Sequence, residues 1–88
     1  MGACDKLTFT NVDQTKFDCV AKAVNAKTGV PINGPTGTTS QGGYTVTWTF
    51  NAQQRSLTIQ CLDSPGGVPC WGINRKIKGL CKDCGVQE

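Results

Sequence analysis

The chain has 88 residues and carries nine Lys and Arg against six Asp and Glu, a net charge of +3, with six cysteines and no histidine. That length makes one disulfide-rich domain spanning 1–88, and the charge is too mild to demand an acidic partner. Without histidine the usual general base of serine and cysteine hydrolases is missing, and zinc loses its commonest nitrogen ligand.

Leu, Ile, Val and Phe make up about a fifth of the residues, near the lower limit for a globular chain, so covalent bridges are expected to matter. An even cysteine count scattered over a short chain predicts three disulfides, built from Cys4, Cys19, Cys61, Cys70, Cys81 and Cys84, and an oxidising compartment. Each bridge in such a domain contributes ~2–5 kcal/mol. Secretion or a periplasmic location is the corresponding expectation, with Met1-Gly2 read as a start that follows removal of an export signal. Gly2-Ala3-Cys4 resembles the end of a bacterial lipobox, but lipidating Cys4 would strand one of the other five cysteines.

In chain order, residues 6–10 alternate, with Leu7 and Phe9 on one side and Thr8 and Thr10 on the other, which predicts a short half-buried strand. Asp13 then suits a helix cap, and Phe17, Val20, Ala21 and Val24 form a stripe at i, i+3, i+4, i+7. Gly29 is a natural stop. Cys19 falls nearly opposite this stripe, beside Ala23 and Ala26, where it could bolt a second element to the helix.

Residues 30–43 hold two prolines, four glycines and several hydroxyl side chains, and read as a long solvated loop, either a connector or a recognition segment. Asn33, Thr36 and Thr38 on this segment are candidate partner-binding residues. Tyr44, Val46, Trp48 and Phe50 alternate with Thr45, Thr47 and Thr49, and Leu57, Ile59 and Cys61 alternate beyond a turn at 51–55. The two runs predict an antiparallel hairpin with an apolar face and a threonine face. Joined by Thr8, Thr10 and Thr58, the threonine face would be a flat uncharged hydroxyl surface suited to carbohydrate, ice or another sheet.

A breaker-rich loop at 63–69 leads into Cys70, and residues 71–84 read as a second helix with Ile73, Ile77, Leu80 and Cys84 on one face. Gly79 weakens it by ~1 kcal/mol relative to alanine and Gly85 can close it. Trp71 is expected at the edge of the core and Trp48 inside it. Arg75, Lys76, Lys78 and Lys82 on the polar side are the remaining candidate partner-binding residues. One loose geometric expectation is a Cys61–Cys70 bridge closing the Pro/Gly loop, with Cys19 reaching Cys81 or Cys84 and Cys4 taking the other.

Cys81-Lys-Asp-Cys84 matches C-x-x-C, but it stands at the end of a helix, where the dipole disfavours thiolate. No phosphate-binding glycine motif and no carboxylate pair stands out, so no catalytic residue, cofactor or metal is expected, and the chain is read as a non-enzyme. The predicted architecture is a disulfide-stabilised α+β domain of order β-α-β-β-α, a three-stranded antiparallel sheet packed with two helices. The functional expectation is an exported, monomeric binding, interaction or antigen-like domain with an unknown protein or surface partner. The alternatives are a cationic effector, antimicrobial or toxin-like, working through the basic helix, and a small protease inhibitor presenting one loop. Stacking aromatics are not interleaved with the basic residues, which argues against nucleic acid, and no apolar run reaches the ~20 residues of a membrane span.

Overall fold

The computed structural model describes residues 4–86. Met1, Gly2 and Ala3, and with them most of the lipobox-like triplet, lie outside the described residues, as do Gln87 and Glu88. The elements run β1 (Leu7–Phe9), α1 (Gln14–Thr28), β2 (Thr36–Gln41), β3 (Tyr44–Asn51), β4 (Ser56–Asp63) and α2 (Cys70–Asp83). The strands form one antiparallel sheet in the order β1-β4-β3-β2. The α+β class, both helices and the central hairpin are as expected; the sheet has four strands where the sequence predicts three.

The additional strand, β2, lies inside the segment read as a loop. Gly42 and Gly43, both at positive φ (60° and 89°), make the two-residue turn to β3, the geometry that suits the twist of paired strands. The inward positions of β2 are Gly37, Thr39 and Gln41, opposite Trp48, Val46 and Tyr44. None is a large apolar residue, so the strand lacks the alternation by which its neighbours are recognised. Thr36 and Thr38 are therefore strand residues, and Asn33 is exposed in the connector before them.

β3 and β4 follow the pleat. Val46, Trp48 and Phe50 face Cys61, Ile59 and Leu57 in register, and all six are buried. Between Val46↔Cys61 and Thr45↔Asp63, β4 advances two residues for one on β3, so Leu62 forms a bulge. The turn between the strands is organised by Asn51, whose Oδ1 accepts from the backbone N–H groups of Gln53 and Gln54, both at 3.1 Å.

α1 begins where Asp13 accepts from Lys16 N at 2.8 Å and ends at Gly29, whose φ is 76°. Its buried residues are Phe17, Val20 and Val24, and Phe17 stacks on Phe50 with ring centroids 4.6 Å apart. α2 buries Ile73, Ile77 and Cys81. It closes on Gly85 at φ 80°, with Val86 N donating to Cys81 O (2.8 Å) and Gly85 N to Lys82 O (2.9 Å), a Schellman arrangement that tucks Val86 into the core.

Two disulfides are closed, Cys4–Cys70 and Cys19–Cys84, with Cα–Cα distances of 5.2 and 5.8 Å. The expectation of three bridges is corrected to two. Cys61 and Cys81 lie buried in the core outside both of them. The Cys61–Cys70 pairing fails for a geometric reason: Cys61 points into the core from mid-strand, whereas Cys70 is exposed at the start of α2. Cys4 takes that place. Its N–H donates to Cys61 O at 2.8 Å and its carbonyl accepts from Gln60 Nε2 at 2.8 Å, which holds Cys4 beside β4, under the start of α2. Cys19 does reach the second helix, at Cys84.

Candidate ligand cavity

Both bridges end on α2. Cys70 is its first residue and Cys84 its C-cap, so the helix is fixed covalently at its two ends. Along its middle it packs Ile73, Ile77 and Cys81 into the core shared with Val24, Val46, Ile59 and Cys61. A cavity of about 550 Å³ opens along this seam, a size that suits a small-molecule site.

Each wall comes from an alternation already described. The sheet supplies Val46, Ile59 and Cys61 from the apolar face of β3 and β4, with Tyr44 at the strand end. The last turns of α1 supply Val24, Lys27 and Thr28, and α2 supplies Ile73, Ile77 and Leu80 from one side of its wheel. Val68 and Pro69 close the end under the 63–69 loop. The charged members are Lys27, Lys76 and Asp83, on residues exposed to solvent, so the interior is apolar and the charges stand at its edge.

Cys61 presents its thiol in this wall. The S–H donates to Asp63 O at 3.1 Å, and burial pushes its pKa up, opposed by the Asp63 backbone and aided by the nearby Asp63 carboxylate. The group is therefore a neutral, weakly polar wall atom at physiological pH.

A second hollow, of about 440 Å³, lies on the other side of the N-terminal half of α2 and is lined by Asp5, Cys70, Trp71, Asn74, Arg75 and Lys78. Asn74 Nδ2 donates to Asp5 O at 3.4 Å, and its buried Oδ1 has no hydrogen-bond partner. Trp71 borders both hollows and is 72% exposed. It is not at a core edge: it stands outside the core cluster, at the rim that the two hollows share.

The sequence-predicted basic residues separate. Lys76 faces the cavity, Arg75 and Lys78 face the second hollow, and Lys82 is exposed in the last turn. Thr36 and Thr38 are far along the sheet in β2 and belong to the opposite, hydroxyl face. There Thr36 pairs with Thr49 (3.4 Å), Thr38 with Thr47 (3.0 Å) and Ser40 with Thr45 (2.7 Å) through their side-chain oxygens. Thr49 continues to Thr58 and Thr58 to Thr8, so one row of threonines crosses all four strands. The hydroxyls partly satisfy one another, which is how a solvated sheet face is stabilised.

Cys84 of the C-x-x-C motif is bonded to Cys19, so the motif is not a dithiol pair. Among the described residues, no group of three or more His, Cys, Asp or Glu side chains is placed to hold a metal ion, and no helix is long and apolar enough to cross a membrane. The cavity residues that sequence reasoning missed, Val24, Ile59, Ile77 and Leu80, were all legible as apolar but only as core. No protein-family model, no curated protein and no solved structure matches the chain.

Proposed function

We propose that the chain is an exported, non-catalytic binding domain that takes an apolar or amphipathic small molecule into the cavity beneath α2. The observation that carries this reading is the cavity itself: about 550 Å³ walled by Val24, Val46, Ile59, Ile73, Ile77 and Leu80. Apolar walls with a few polar groups at the rim are the usual make-up of small-molecule sites. The two bridges support export, since disulfides persist in oxidising compartments. They also suit the proposed role, because a helix fixed at both ends keeps its place when the apolar seam beside it takes up a ligand.

Titration with a neutral solvatochromic dye such as N-phenyl-1-naphthylamine tests this. Saturable fluorescence enhancement at one dye per chain is expected. Leu80→Trp, which extends a ring into the cavity, should weaken dye uptake at least ten-fold while far-UV circular dichroism is unchanged. Absence of saturable uptake by the folded, oxidised protein would remove the reading.

A further inference from the structure

The exposed side of α2 carries a pattern that the cavity does not use. At 100° per residue, Trp71, Arg75, Lys78 and Lys82 fall within an arc of about 60° and extend along about 16 Å of helix. Three of the four are cations and the fourth is a large apolar residue left 72% exposed. The carboxylate of the helix, Asp83, lies on the cavity side, so α2 itself places no negative charge on the stripe. Asp5, from the segment before β1, borders it at the second hollow beside Arg75 and Lys78.

We propose that this stripe is a docking face for an anionic phospholipid bilayer, from which the cavity takes its ligand; the proposal rests on the cavity being a ligand site. Charge complementarity argues for the anionic surface, since basic side chains near such a membrane add attraction one by one. Trp71 argues for lipid over other polyanions. An indole with an apolar body and one N–H donor is suited to the headgroup boundary, and a single indole at one end of the stripe does not provide the successive stacking that single-stranded nucleic acid uses. Trp71 also lines the cavity. The residue that would enter the headgroup layer is thus part of the cavity wall, and a bilayer is the partner that satisfies both.

The test uses the oxidised protein in co-sedimentation with vesicles of phosphatidylglycerol and phosphatidylcholine in equal parts, and with pure phosphatidylcholine. Binding is expected to the mixed vesicles alone, with a blue shift in tryptophan emission as Trp71 leaves water, and to fall sharply in 0.5 M NaCl. Arg75→Glu with Lys78→Glu should weaken vesicle binding at least about thirty-fold while leaving dye uptake in vesicle-free solution unchanged, because neither residue lines the cavity. Conversely, Leu80→Trp should weaken dye uptake at least ten-fold and keep vesicle binding. Equal binding to neutral vesicles, unchanged binding of the double variant, or equally tight binding to single-stranded DNA with the same loss in the variant would overturn the lipid assignment. Loss of dye uptake in the wild-type protein would instead sink the cavity reading on its own.

Discussion

Gly37 faces Trp48 across the β2–β3 pair, and a Cβ built at Gly37 would lie 3.0 Å from the indole ring. The indole occupies the place of the missing side chain, and its Nε1–H donates to Gly34 O at 3.0 Å. One aromatic residue thereby covers an otherwise unprotected stretch of edge strand and ties the connector before it to the sheet. Gly37→Val should cost about 1–3 kcal/mol, the usual range for overpacking a filled site. Urea unfolding followed by Trp48 fluorescence checks this, and a midpoint unchanged from wild type would show that the indole yields freely.

The two bridges span 66 and 65 residues, so each closes about three quarters of the 88-residue chain. In the chain-entropy account a loop of that size is worth about 4 kcal/mol, and because the two loops overlap their effects are not additive. Cys19 and Cys70 are exposed, which gives a reductant access to both bridges. Cys19→Ser with Cys84→Ser should lower the thermal midpoint and release amide exchange in α2 before the sheet. Simultaneous loss of protection in α2 and β3 would mean that the bridge stabilises the domain only as a whole.

Cys61 should give a pH signature. Its pKa is raised in the folded protein, so above the ordinary thiol range the unfolded chain loses this proton first. The contribution of this group is fully present below the unfolded pKa and is lost as pH rises through the folded value. Stability measured by urea unfolding should fall from pH 8 to pH 10 more steeply in wild type than in Cys61→Ala. Parallel slopes would show that the thiol is not desolvated.

The Asp13 cap is a local test of α1. Its carboxylate accepts from Lys16 N at 2.8 Å. Asp13→Ala should cost about 1 kcal/mol in denaturant unfolding, and recovery of most of it in Asp13→Ser would assign the effect to the cap and not to charge.

Legibility followed periodicity. Phe17, Val20 and Val24 announce the buried side of α1, and the Tyr44-to-Phe50 alternation announces β3, because in both cases large apolar residues recur at the period of the backbone. β2 was illegible for the converse reason: with Gly37, Thr39 and Gln41 inward, its apolar contribution is supplied by its neighbour Trp48 and not by itself. Thr39 shows the same dependence, since its hydroxyl donates to Pro31 O at 2.8 Å, a contact with no sequence pattern. The cavity could not be read at all. Ile59 and Ile77 look alike in sequence whether they only pack in the core or also border an opening.

The ends of α2 also decide which wall can give way. A beam anchored at both ends can bow or roll about its length, but it cannot swing out. The 63–69 loop forms the unbridged margin: Val68 and Pro69 line the interior, while Gly66 and Gly67 next to them have open space around them. The same covalent anchoring that keeps the helix in place thus leaves the stretch of backbone around these two glycines as the margin of the interior that neither bridge holds.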